Sequence, residues 1–167
     1  MSAADWLESI AAALAVMVVI FTFVAKVYMV RETSMYPTLE DGERVLAVDC
    51  YGSPEAGDIV IFESETLDES LIKRVIAVAG DTVDIDEDGN LYVNGVLSEY
   101  RGSTPDNVRG DVEFPLVVPE GKIFVMGDNR SVSLDSRFER VGLVDVRDVT
   151  AVAKAVIFPF SRVRKAD

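Results

Sequence analysis

Leu71-Ile72-Lys73-Arg74-Val75-Ile76-Ala77-Val78-Ala79, closed by Gly80-Asp81, is the stretch on which the fold turns. β-Branched residues pack well on a pleated surface and Gly ends such runs, so residues 72–79 read as a strand. Outward from it, similar short segments rich in Val, Ile and Phe recur between Gly, Pro and Asp. They run from Arg44 to Val48, Asp58 to Phe62, Thr82 to Ile85, Leu91 to Val93, Lys122 to Met126 and Thr150 to Phe158. The chain is therefore expected to be mainly β. Asp88-Gly89-Asn90, then Leu91-Tyr92-Val93, then Asn94-Gly95 predicts a turn, a strand and a second turn, because Gly after Asp or Asn supplies positive φ at little cost. Tyr100 to Glu113, with Gly102, Pro105 and Gly110, reads as a longer surface loop. There is no internal repeat, heptad pattern or low-complexity tract.

The N-terminal segment differs. Ile10 to Ala25 is an unbroken apolar run, and if Lys26 snorkels the stretch extends through Val30, close to the ~20 residues a spanning helix needs. Asp5 and Glu8 stand where a cleavable secretory signal carries basic residues, which favours a transmembrane anchor. The expected division is residues 1–31 as tail and anchor and residues 32–167 as the β domain. Lys26 and Arg31 on the C-terminal flank would by the positive-inside rule put that domain in the cytoplasm.

At 167 residues, 49% of them hydrophobic, the chain can build one real core and a short appendage. It contains no histidine, so it cannot supply a Ser-His-Asp triad, a Cys-His dyad or a His-ligated metal site. Its lone Cys50 has no disulfide partner within the chain and reads as a small strand residue. A net charge of −13 argues against a nucleic-acid partner, which would need basic patches. The run Asp84-Ile85-Asp86-Glu87-Asp88 reads as a solvated turn; an EF-hand calcium loop would need its Gly and terminal Glu at other spacings.

Hydrolytic chemistry must then use a base other than histidine. Ser34-Met35-Tyr36-Pro37-Thr38-Leu39 follows the apolar segment, and Pro37 restrains the backbone so that Ser34 can stand at an exposed bend. A serine there is ordinarily a turn residue unless a base lies nearby. Lys73 interrupts an apolar run, and it either points outward in the usual alternation or is buried, in which case desolvation lowers its pKa toward a value useful for a general base. Gly127-Asp128-Asn129-Arg130-Ser131-Val132-Ser133-Leu134-Asp135-Ser136-Arg137 follows the strand ending at Met126, and its polar groups are those of a surface turn or of a shell that orients a catalytic side chain.

Four motifs, S-M-x-P-T-L at Ser34, G-D-I-V-x-F at Gly57 to Phe62, I-K-R-V at Ile72 followed by G-D, and G-D-N-R-x-x-S-x-D-S-R at Gly127, occur in the order and at the spacing of the bacterial type I signal peptidases, which this sequence resembles from the anchor through Gly142. The resemblance implies an antiparallel β-sheet body behind one transmembrane helix, and a serine endopeptidase that removes signal peptides from exported preproteins after small residues. It makes Ser34 the nucleophile and Lys73 the general base, with Ser133 hydrogen-bonding the lysine. Asp135 and Arg137, with Asp128 and Arg74, would hold the active-site loop. Met35, Leu39 and Ile72 match substrate-pocket positions, although a core role suits Leu39 and Ile72 equally. The Ser34 backbone N–H would meet the oxyanion; where some members have a hydroxyl as second donor this chain has Glu32, leaving Thr33, a backbone group or water.

No cofactor, metal or obligate protein partner is implied. The implied partners are preprotein signal peptides and membrane lipid, with the body on the outer face of the cytoplasmic membrane, against the flanking charges. The related self-cleaving repressors carry a DNA-binding domain where this chain is apolar, and the eukaryotic relatives use His where this chain has Lys73. A peptidase dedicated to one substrate and a silent peptide-binding module are the other readings. Ser34, Lys73 and Ser133 are all present, which disfavours the last.

Overall fold

The computed structural model describes residues 2–23, 25–49, 52–100, 102 and 109–167, omitting side-chain detail at 3 and 19–23. Among these residues one α-helix, α1 (Ala3–Phe23), precedes twelve strands: β1 (Ala25–Met29), β2 (Arg44–Asp49), β3 (Ile59–Ser64), β4 (Glu69–Val78), β5 (Thr82–Ile85), β6 (Leu91–Val93), β7 (Val96–Leu97), β8 (Leu116–Val117), β9 (Lys122–Met126), β10 (Val144–Asp145), β11 (Val149–Phe158) and β12 (Arg164–Lys165). The eight-stranded sheet runs β1-β2-β11-β3-β4-β9-β10, with β12 added to β11; a smaller sheet runs β7-β6-β5-β8. All pairings are antiparallel.

The mainly β expectation holds, and β5, β6 and β9 have the predicted bounds. The two turns around β6 form, with Gly89, Asn94 and Gly95 at positive φ. Asp86 explains the acidic turn: its carboxylate accepts from the Asp88 and Asn90 backbone N–H groups and from the Asn90 side chain. Cys50 lies outside the described residues, as do 101 and 103–108 of the loop expected from Tyr100 to Glu113.

The N-terminal helix has other bounds than the apolar run. Helix α1 starts at Ala3, taking in Asp5 and Glu8, and ends at Phe23. The apolar run does not continue as helix through Val30, because Ala25–Met29 form β1, paired with β2 from Ala25↔Val48 to Met29↔Arg44. Sheet pairing satisfies these backbone groups, and it buries Ala25 and half-buries Tyr28 against the body. Among the described residues no helix is long and apolar enough to cross a membrane. Trp6, Leu7, Ile10, Leu14, Val16, Met17 and Val18 are all exposed.

Three apolar clusters fill the body. One joins Val30, Met35 and Leu39 to Val45, Ile59, Ile61 and Val156 across the sheet, so the segment after β1 is seated on β2, β3 and β11. A second groups Val60, Phe62, Val75 and Val125, and a third ties the small sheet to β4 and β9 through Ile76, Val83, Leu91 and Phe124. Leu39 is wholly buried by this packing. Strand β4 is central: Glu69 to Arg74 pair with β3, and Arg74, Val75, Ala77 and Val78 pair with β9.

Candidate active site

Ser34 lies in the turn-rich connection between β1 and β2. Tyr36 N–H donates to the Thr33 carbonyl at 3.1 Å and Leu39 N–H to the Met35 carbonyl at 2.9 Å, while Leu39 and Met35 plug the core below. Just before the serine, Glu32 sits at φ 68°, a left-handed conformation uncommon for a residue with a side chain, and its N–H donates to Asp41 Oδ1 at 2.8 Å. That bend turns the chain from the end of β1 toward β4.

Lys73 comes from β4, opposite Val60. It is buried, 3% exposed, so of the two orientations left open by strand alternation the inward one is realised. Its Nζ donates to Ser34 Oγ at 3.0 Å and to the Ile72 carbonyl at 3.2 Å. Burial lowers its pKa below the ordinary lysine value, opposed by the charges of Asp135, Glu32 and Glu69. The two side chains open into a cleft of about 430 Å³ whose walls include Met29, Glu32, Met35, Glu69 and Ile72. Met35 and Ile72 thus reach the cleft, while Leu39 lies in the core and is not among its walls.

The 127–137 loop closes the other side. Asn129 N–H donates to the Ser34 carbonyl at 3.0 Å and Asn129 Nδ2 to the Thr33 carbonyl at 3.1 Å, fixing the serine backbone. Asp135 and Arg137 form a buried two-point pair, Nε to Oδ1 at 2.8 Å and Nη2 to Oδ2 at 3.0 Å. Asp135 also accepts from Gly127 N–H at 3.0 Å, and Arg137 Nη2 donates to the Arg130 carbonyl at 2.8 Å. Arg130 donates to the Gly127 and Tyr100 carbonyls; burial and the neighbouring Arg137 charge push its pKa down to about 10, opposed by Asp135 and Asp128. Arg74 and Asp128 form a second buried pair, Nε to Oδ1 at 2.9 Å and Nη2 to Oδ2 at 2.8 Å, and Thr38 Oγ1 donates to Asp128 Oδ2 at 2.5 Å.

Ser133 departs from expectation. It is buried, but its hydroxyl makes no hydrogen bond among the described residues, and the bond to Lys73 is not formed. It packs instead against Gly127, where an added Cβ would come 2.2 Å from Ser133 Oγ and 2.5 Å from the Ser34 carbonyl oxygen. Gly127, Asn129 and Thr38 are the structural contributors to which sequence reasoning assigned no role. The first two lie within the quoted motif, and Thr38 lies within the serine motif.

A serine hydroxyl against a buried amine in an open cleft, braced by two buried ion pairs, is an arrangement suited to a serine hydrolase. The family model and the sequence relatives agree with that class. The family model described as signal peptidase, peptidase S26, matches residues 3–158. A signal peptidase I of Bacillus licheniformis is 40% identical over 175 residues, covering 98% of this chain and 92% of the relative. Signal peptidase I T of Bacillus subtilis is 38% identical, covering 96% and 88% respectively. A solved signal peptidase I from Enterococcus faecalis has a TM-score of 0.49 at 33% identity, over 62% of this chain and 98% of that one. The chain belongs to the signal peptidase, peptidase S26, family, and is accordingly a serine endopeptidase acting in signal-peptide removal.

Proposed function

We propose that the chain cleaves exported preproteins by a Ser-Lys dyad, with Ser34 as nucleophile and Lys73 as general base. The observation that carries this is the 3.0 Å contact between Lys73 Nζ and Ser34 Oγ, made by a lysine whose burial favours the neutral amine. The neutral amine takes the Ser34 hydroxyl proton as Oγ attacks the scissile carbonyl, and the resulting ammonium returns a proton to the departing amine. Water, deprotonated by the same lysine, then hydrolyses the Ser34 ester and regenerates the hydroxyl. The Ser34 backbone N–H makes no hydrogen bond among the described residues and is available to the tetrahedral oxyanion. Ser133 orients the lysine when a substrate carbonyl draws the Ser34 hydroxyl away. Asp135, Arg137, Asp128 and Arg74 hold the loop geometry.

The substrate is an extended signal-peptide segment lying along the cleft, with small side chains before the cut facing Met35 and Ile72, above the buried Leu39. Of residues 1–31, the part through α1 carries a membrane anchor, supported by the apolar, exposed side chains of α1, and the β body from β1 onward carries the catalysis on the outer face of the cytoplasmic membrane, against the flanking charges. Membrane lipid is then the surface against which preproteins are met.

The test is cleavage of a preprotein bearing an Ala-x-Ala site by detergent-solubilised protein, comparing wild type, Ser34→Ala and Lys73→Ala across pH. Loss of cleavage in both variants, with the wild-type rate rising through a midpoint below the ordinary lysine value of about 10.4, supports the dyad. Full cleavage by either variant removes that residue from the mechanism.

A further inference from the structure

We propose that Arg164, on β12 and beyond the residues matched by the family model, is a positioning residue that holds the Ser34 loop in register with Lys73. The inference rests on the reading of Ser34 as nucleophile. Arg164 makes a fork: Nη1 donates to Glu43 Oε1 at 2.8 Å, and Nη2 donates to Glu43 Oε2 at 2.9 Å and to the Thr38 carbonyl at 2.6 Å. Glu43 is 1% exposed and its Oε2 also accepts the Glu40 N–H at 3.0 Å. One guanidinium therefore fixes both ends of the segment Thr38–Glu43, the second half of the connection that carries Ser34.

Thr38 is where this clamp meets the rest of the site. Its carbonyl is held by Arg164, while its hydroxyl donates to Asp128, the partner of Arg74 beside Lys73 on β4. The single turn from Met35 to Leu39 connects it back to the serine through the Leu39 N–H bond to the Met35 carbonyl. Strand β12 is itself anchored, with Val156 paired to Arg164, Ala166 N–H donating to the Lys154 carbonyl at 3.1 Å, and Ala166 packed in the same cluster as Met35 and Leu39. Arg162 adds a second ion pair to Glu40. Burial works against the Glu43 carboxylate, but the Arg164 fork, the Glu40 N–H and the Arg162 charge hold its pKa below the usual carboxylate value, so the clamp is ionised under working conditions.

A planar two-point fork that also caps a carbonyl is a demand that arginine meets and lysine does not. Losing it frees the nucleophile loop on one side only, because Asn129 still holds the Ser34 carbonyl. Small misplacement of a reacting group costs rate steeply. Substrate contacts in the cleft are untouched.

The experiment uses the full chain in detergent with a preprotein substrate, and measures kcat and KM separately for Arg164→Gln, Arg164→Lys and Glu43→Gln/Arg164→Gln, at a temperature where circular dichroism reports each folded. The double variant guards against misfolding, since it leaves no unpaired buried carboxylate. A fall in kcat of about ten- to a hundredfold with KM within about twofold, partly recovered by lysine, is expected. A folded double variant with wild-type kcat overturns the inference, as does a loss in every variant that tracks only the unfolded fraction. Ser34→Ala is run alongside. If it still cleaves, the nucleophile reading fails and the positioning role with it; if it is inactive while folded Arg164 variants keep full kcat, the positioning role alone fails.

Discussion

Lys73 and Arg74 are consecutive residues on β4, each almost excluded from water at 3% and 6% exposure, and their pKa values are shifted in opposite directions. Successive side chains of a strand leave on opposite faces, so the two meet different partners. Burial opposes the charge on both. Arg74 finds the Asp128 carboxylate at two-point hydrogen-bond distance, and its pKa rises above the ordinary value. Lys73 finds a hydroxyl and a carbonyl, its nearest carboxylates act only through space, and its pKa falls. Similar exclusion from water therefore goes with a paired cation on one face and with a lysine whose charged form is disfavoured on the other, and the partner sets the direction of the shift.

The sharpest way to break this comparison is to make the two residues alike. Lys73→Arg puts into the cleft a cation that cannot deprotonate. Cleavage should drop by about 10²–10⁴ in kcat, the range that general-base removal costs. A Lys73→Arg protein with near wild-type kcat would show that proton removal by residue 73 is not required.

The opposite face predicts a loss of stability. Arg74→Met strands the Asp128 carboxylate in the interior and should destabilise the fold by about 3–5 kcal/mol, read as a lower urea midpoint. Arg74→Met/Asp128→Asn leaves no charge at this pair and should recover most of that, because the Asn side-chain carbonyl can still accept from Thr38. Equal destabilisation of the single and double variants would mean that the guanidinium matters for packing and not for its pairing with Asp128.

Gly127→Ala tests the wall between the two faces. The added Cβ would stand 2.2 Å from Ser133 Oγ and 2.5 Å from the Ser34 carbonyl oxygen, and the second neighbour is backbone that cannot rotate away. The serine must move relative to Lys73, so kcat should fall about ten- to a hundredfold with a smaller stability loss of about 1–3 kcal/mol. Unchanged kcat would mean that the Ser34 backbone tolerates displacement.

Local pattern made much of this legible in the sequence. The β-branched runs locate β4, β5, β6, β9 and β11, and the Gly and Asn turns around β6 follow from positive φ alone. The serine and lysine motifs supply walls of the cleft, the motif at Gly127 braces Ser34 through Asn129, and the motif at Gly57 lies on β3, which pairs with β4. Beyond that, the two-residue strands β7, β8, β10 and β12 are too short to carry a periodic signal and exist because neighbouring strands offer them a pairing edge. Strand β1 was hidden because Ala25–Met29 follows the apolar run directly and Lys26 can be read as a snorkelling flank; its pairing with Arg44–Val48 is what makes it a strand. The inward turn of Lys73, the unpartnered Ser133 hydroxyl and the Glu43–Arg164 clamp depend on contacts between segments far apart in the chain, which spacing does not encode.

The smallest effect is the most diagnostic of the lysine's surroundings. If Lys73 acts as its neutral amine, the rate is low where the amine is protonated and rises with pH through its pKa. Desolvation places that midpoint below the ordinary lysine value, and the negative charges of Asp135, Glu32 and Glu69 each pull it back up by favouring the ammonium. Asp135 is committed to Arg137 and Gly127, whereas Glu32 lines the open cleft and its substitution leaves both buried pairs intact. Glu32→Gln removes one charge while keeping a side chain of the same shape at the φ 68° bend. The midpoint of the kcat profile should move to lower pH, with the high-pH plateau close to wild type. A midpoint that stays put or moves upward would mean that the group titrating in the profile is not the amine facing Glu32, and Lys73 would lose its claim to be the base whose charge state sets the rate.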